Sequence, residues 1–101
     1  MPETVENIEN DAAKVAKLLK ALSNEKRLMI VCALCNGEQS VGILESKVEL
    51  SQSALSQHLA KLRRNDLVRT RREAQSIYYR LNDESGAIKE LLRTLCKMFT
   101  P

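Results

Sequence analysis

The stretch LSQSALSQHLAKLRR, Leu50–Arg64, decides the fold. Ser51 stands directly ahead of a helical pattern, where a hydroxyl can accept a hydrogen bond from a first-turn N–H. Leu55, Leu59 and Leu62 then recur at helical steps and give one apolar face. Gln52, Ser53, Ser56, Gln57 and Lys61 fall largely on other faces. Just upstream, Ser40 caps a shorter helical pattern that ends near Val48, and Glu49-Leu50-Ser51 is a tight connection. Two short helices joined by such a turn form a helix-turn-helix unit.

Downstream, Leu67–Arg72 and Ser76–Leu81 read as two strands around Glu73-Ala74-Gln75, the chain's only clear β element. Upstream, residues 28–35 are apolar all round, as in a central core helix. Asn24 is its N-cap candidate, and Asn36-Gly37 ends it. Two amphipathic helices flank these elements. Ile8, Ala12, Val15, Leu19 and Leu22 form a stripe in the first, and Ile88, Leu91, Leu92, Leu95 and Phe99 in the last. A chain this short has no other element to cover both stripes, so a second copy of the chain is the expected partner. The expectation is one mainly α domain over residues 1–101 with a small β-hairpin wing. It places the helix-turn-helix at about 40–64, the wing at about 67–81, and dimerisation helices at about 6–22 and 84–99.

Composition agrees with this reading. The 101 residues are one domain's worth. Aromatics make up 3%, Trp is absent, and Gly and Pro number three and two, which argues against a sandwich or barrel. No apolar run approaches the ~20 residues of a membrane span. Glu3, Glu6, Glu9 and Asp11 are the opposite of a signal peptide's basic start, so a cytoplasmic location without membrane attachment is expected. The three cysteines are an odd number and do not make a disulfide scaffold.

The net charge of +3 is unevenly spread. Between Ser51 and Arg72, Lys61, Arg63, Arg64, Arg69, Arg71 and Arg72 face the single Asp66. A basic run is often only a solvated face. This one spans the second helix of the unit and the hairpin, as a polyanion-binding surface would. The DNA major groove admits one helix, and Gln52, Ser53, Ser56 and Gln57 can reach base edges or phosphates from it. Lys61, Arg63 and Arg64 on the helix and Arg69, Arg71 and Arg72 in the hairpin suit flanking phosphates. An enzyme is not indicated. There is one His and neither a phosphate-cradling Gly loop nor a metal-hydrolase spacing. Cys32 and Cys35 sit inside a helix, not at the strand-to-helix junction of a thioredoxin-like site.

Leu50–Arg64, its continuation through Leu67-Val68, Arg71–Gln75 and Tyr78–Leu81, and the upstream Leu22–Leu28 resemble the ArsR/SmtB family of bacterial repressors. The resemblance runs from about Ala13 to Phe99, and its most specific part is the Leu-Ser-Gln-x-x-Leu-Ser-Gln-His-Leu core at residues 50–59. It implies a homodimeric winged helix-turn-helix repressor whose first and last helices form the dimer interface. Two-fold symmetry then implies double-stranded DNA with an inverted-repeat operator. Two departures are visible. Asp66 stands where the family usually has Gly, a position Asp tolerates, and the wing turn Glu73-Ala74-Gln75 lacks Gly.

The family's metal sensors use a Cys-x-Cys pair in the third helix or Asp and His along the last. Here those places hold Ser40-Val41-Gly42 and no His, so no metal or other cofactor is expected. The only His, His58, lies in the recognition helix as a DNA-facing or packing residue. Free Cys is often just a small buried hydrophobe. The run around Cys32, with Gly37-Glu38 and Ser40–Gly42, nevertheless resembles the family's thiol-sensing branch of biofilm-associated, sulfide-responsive and haemolysin regulators. That resemblance implies that Cys32 pairs with a cysteine near the chain's end, and that oxidation or persulfide chemistry joining them releases DNA. The branch's distal position falls on Thr100, and Cys96 stands one turn earlier on a similar face. Cys32 as the reactive thiol and Cys96 as its partner is the leading expectation, with the loop Asn82–Gly86 absorbing a shift of the last helix. Pairing of Cys32 with Cys35, loss of the pair, and a Cys32/Cys35/Cys96 site for a soft ion such as arsenite stay open. So does a regulator with no small-molecule switch.

Overall fold

A computed structural model describes residues 5–82 and 87–98, with side chains given for 11–82 and 88–98. The Ile8 side chain, the helix start near Glu84, Phe99 and Thr100 lie outside the described parts. The elements run α1 (Val5–Leu22), α2 (Glu25–Leu34), β1 (Gln39–Ser40), α3 (Val41–Val48), α4 (Gln52–Arg64), β2 (Val68–Glu73), β3 (Ser76–Leu81) and α5 (Ala87–Cys96).

α2 is the hub, packed against α1, α3, α4, α5 and β3. That explains its lack of a polar face: Ile30, Val31 and Leu34 are buried, and Leu28, Met29 and Ala33 pack partly against the same core. Asn24 caps it as expected, its side chain accepting from the N–H groups of Lys26 and Arg27 at 3.0 Å each. Gly37 closes the far end at φ 130°, where its N–H donates to the Leu34 carbonyl. Leu44 and Val48 of α3 and Leu55, Leu59 and Leu62 of α4 complete the helix-turn-helix core. Burying each such Leu contributes about 1.5–3 kcal/mol.

Ser40 and Ser51 cap α3 and α4, accepting from the N–H groups of Ile43 (3.3 Å) and Ala54 (3.2 Å). The turn between these helices bends at Glu49, which is left-handed at φ 50°. α4 ends on a Schellman motif: the Asp66 N–H donates to the Arg63 carbonyl and the Leu67 N–H to the Leu62 carbonyl. Asp66 supplies the left-handed residue at φ 58°, and Asn82 Nδ2 donates to its carbonyl at 2.8 Å. The turn therefore forms without the usual Gly. Asp66→Val is expected to cost roughly 1–2 kcal/mol, because a β-branched residue fits φ above zero worst. Asp66→Gly should leave stability nearly unchanged; urea denaturation of the two variants checks this.

The expectation that the hairpin is the only β element needs correction. β1, two residues long, adds to it in the order β1-β3-β2, all antiparallel. So short a strand, ending on the Ser40 cap, has no alternating pattern to read. The register sorts the wing into two faces. Val68, Thr70 and Arg72 share one face with Ile77, Tyr79 and Leu81. Arg69, Arg71 and Glu73 share the other with Ser76, Tyr78 and Arg80. Val68 and Leu81 are buried, so the first face is the inner one.

The α5 stripe also divides. Leu92 is fully buried inside the protomer, whereas Leu91 is 37% exposed. On α1, Val15 and Leu19 are 53% and 48% exposed. Leu92 therefore belongs to the protomer's own core, and Val15, Leu19 and Leu91 are left partly uncovered, as are Ile43 on α3 and Met98 just after α5.

Candidate nucleic-acid interface and thiol pair

On α4 the buried Leu55, Leu59 and Leu62 fix the opposite arc in solvent. Gln52, Ser53, Ser56, Gln57, Lys61, Arg63 and Arg64 are all exposed there. The wing borders this arc on one side. Gln52 and Ser56 share a cavity of about 430 Å³ with Val41, Gly42, Ile77 and Tyr79. A second cavity of about 430 Å³ continues along Ser56, Ala60, Arg63, Arg64 and Tyr79. Ser56 and Tyr79 line both, so one groove runs between α4 and the inner face of the wing. Ile77 and Tyr79 were not among the residues singled out from the sequence. The alternation of β3 against the buried Leu81 was the signal that could have found them.

His58 is placed differently from its neighbours. It is half-buried on the α2 side of α4, and its Nδ1 lies 3.4 Å from Arg27 Nη1. Burial, then the charges of Arg27 and Lys61, pull its pKa below the usual value, which disfavours the charged ring. Arg27 Nε in turn donates to the Ala21 carbonyl at 2.7 Å. His58 thus packs toward the α1–α2 junction, beside the exposed arc.

Arg71 and Arg72, adjacent in sequence, part company in the sheet. Arg72 is exposed on the inner face and makes no ion pair among the described residues. Arg71, on the outer face, is held by Glu38 and Glu73 and lies over the Tyr78 ring. Both carboxylates raise its pKa further above its ordinary value, and Arg71 holds Glu38 below the usual carboxylate range.

Cys32 of α2 and Cys96 of α5 are joined in a disulfide, with Cα atoms 6.0 Å apart, within normal reach of such a bond. Cys35, at the C-cap of α2, is not part of it. Cys96 thus meets Cys32 without Thr100. Among the described residues no three His, Cys, Asp or Glu side chains could together hold a metal ion. Among them, too, no helix is long and apolar enough to cross a membrane.

Comparison with known proteins places this geometry. Residues 24–70 match the family model described as bacterial regulatory protein, arsR family. The transcriptional activator HlyU of Vibrio cholerae is 54% identical over 95 residues, covering 93% of this chain and 88% of that protein. A structure of reduced HlyU from that organism superposes with a TM-score of 0.85 at 48% identity, covering 96% of this chain and all of the other. The biofilm growth-associated repressor of Xylella fastidiosa is 45% identical over 96 residues, covering 95% and 82% of the two chains. A homodimeric winged helix-turn-helix DNA-binding domain from Mycobacterium bovis superposes with a TM-score of 0.74 at 28% identity, covering 96% and 91%. Such relatives are transcriptional regulators, not enzymes, and their shared fold is the winged helix.

Proposed function

The chain belongs to the bacterial arsR family of regulatory proteins, and on that premise we propose that it is a homodimeric, sequence-specific DNA-binding repressor. Its hold on an inverted-repeat operator is relieved when Cys32 and Cys96 are joined. The observation that carries the DNA reading is the exposed arc of α4, polar at its start and basic at its end, with the inner face of the wing alongside. Gln52, Ser53, Ser56 and Gln57 enter the major groove and read base edges. Lys61, Arg63, Arg64 and Arg72 neutralise phosphates on either side. The partly uncovered Val15, Leu19 and Leu91 supply the dimer contact, and the homodimeric state of the Mycobacterium bovis domain supports a dimer. A two-fold dimer presents two copies of α4, hence an inverted repeat.

The reach between Cys32 and Cys96 supports the switch. With a polysulfide as oxidant, the Cys32 thiolate attacks a sulfane sulfur. This leaves a persulfide on Cys32 and releases the shortened polysulfide. The Cys96 thiolate then attacks Cys32 Sγ, hydrosulfide departs, and the disulfide closes. With a hydroperoxide, Cys32 becomes a sulfenic acid and hydroxide is the second leaving group. The bond ties α5 to α2, which packs on α3, α4 and β3. It therefore acts on the spacing of the two reading helices in the dimer.

The DNA reading is tested by titrating the reduced protein with a duplex selected from a random pool, and with a scrambled duplex, at several salt concentrations. Ser56→Ala or Gln57→Ala is expected to reduce the preference for the selected duplex by about 1–3 kcal/mol. Arg72→Ala should weaken both duplexes alike and flatten the log–log salt slope by roughly one unit. Equal losses for all three variants on both duplexes would contradict this division of labour.

A further inference from the structure

The outer face of the sheet carries a connection that the proposed DNA contacts do not use. β1 pairs with β3 so that Gln39 faces Tyr79 and Ser40 faces Tyr78. Continuing that register brings Glu38 to the sheet edge beside Arg80, whose charge acts on it. On the far side, Arg71 of β2 lies opposite Tyr78. Its side chain passes over the Tyr78 ring of β3, 4.5 Å from the centroid, and ends on Glu38. Arg71 Nε donates to both Glu38 carboxylate oxygens at 2.9 Å, and Nη2 lies 2.7 Å from Oε1. Nη1 reaches Glu73 Oε2 at 2.7 Å. One guanidinium therefore spans the sheet from β2 across β3 to the residue preceding β1.

Glu38 is the last residue of the Cys35–Glu38 connection leaving α2, and Gly37 turns that connection onto the Leu34 carbonyl. An isolated two-stranded hairpin is at best marginally ordered, and β1 contributes only two residues to it. We propose that Glu38 is a positioning residue for DNA binding: through Arg71 it fixes the wing against the end of α2, and so holds Arg72 and Tyr79 over the reading surface of α4. The proposal rests on the DNA-binding reading above and is independent of the thiol switch. The side chains of Arg71 and Glu38 keep 47% and 27% of their exposure, and exposed pairs add little to global stability. Their effect is on the wing's orientation.

The test uses the full-length reduced protein and its selected duplex at several salt concentrations, with circular dichroism melts of each variant. Glu38→Gln and Arg71→Gln should each weaken binding roughly three- to ten-fold, with thermal midpoints close to that of the unmodified protein. Neither removes a phosphate contact, so the salt slope should change by less than about half a unit. The double variant should bind no more weakly than the single ones, because both remove the same connection. Tighter binding by Glu38→Gln, or a slope lowered by about one unit in Arg71→Gln, would make Arg71 a phosphate contact that Glu38 opposes and overturn the proposal. Additive losses in the double variant would overturn it too. If Glu38→Gln binds as the unmodified protein does, only the positioning role falls. If the unmodified protein shows no salt-dependent binding to any duplex, the DNA reading falls and takes this role with it.

Discussion

Leu19→Glu is expected to give a folded monomer, and Leu92→Asp no folded protein at all. Both residues belong to apolar stripes of flanking helices, yet the structure separates them. Leu19 is 48% exposed on α1, one turn beyond Val15 at 53%, so the described residues leave about half of each uncovered. An unpaired carboxylate there meets water in the monomer and a desolvated apolar surface in the dimer. A two-fold interface counts the substitution twice. At several kcal/mol for an uncompensated buried charge, the dimer dissociation constant should rise at least about 100-fold, with helix content preserved. Leu92 has no exposed surface and packs in the cluster around α2. A charge at that position removes several kcal/mol from a total of only about 5–15 kcal/mol. Sedimentation analysis and circular dichroism of both variants decide the matter. A unmodified chain that is a folded monomer at micromolar concentration, or a folded Leu92→Asp protein, would contradict the assignment of the two faces.

Cys32→Ser is expected to abolish the response to oxidants while leaving reduced DNA binding intact. Coupling free energies between sites are typically 1–3 kcal/mol. Polysulfide treatment of the unmodified protein should therefore lower duplex affinity by about 5–150-fold, and the Cys32→Ser variant should show a ratio near one. Cys35→Ser should respond like the unmodified protein, since Cys35 lies outside the pair. Cys96→Ser should stop at the modified Cys32 without cross-linking. The disulfide also closes a loop across a sequence separation of 64, worth about 4 kcal/mol in the chain-entropy description. The oxidised protein should accordingly melt above the reduced one, a difference that either Cys32→Ser or Cys96→Ser removes. Retention of the affinity change in Cys32→Ser would move the switch elsewhere.

What could be read from the residues alone was whatever local chemistry repeats or caps. The serines at positions 40 and 51 and Asn24 start helices for the same physical reason in any protein, and the structure places all three as caps. The leucine spacing of α4 set its buried face and, by subtraction, its exposed arc. What was missed depends on pairing between distant segments. β1 is two residues long and exists because β3 offers it an edge. Which of Arg71 and Arg72 faces α4 follows from the register of β2 against β3, and a one-residue slip would exchange them. The Glu38–Arg71 bond joins residues far apart in sequence, so no local pattern announces it. The same holds for Leu91 and Leu92. A helical stripe shows that a face is apolar, but only the packing of α5 against α2 shows which residue the protomer keeps for itself.

The most direct test of the central claim is non-reducing peptide mapping by mass spectrometry after graded polysulfide treatment, with duplex binding measured on the same samples. The expected result is a Cys32–Cys96 cross-link within one protomer, rising in step with the fraction of protein released from DNA and reversed by thiol reductant. Full cross-linking with unchanged DNA affinity, or release from DNA without that cross-link, would contradict it.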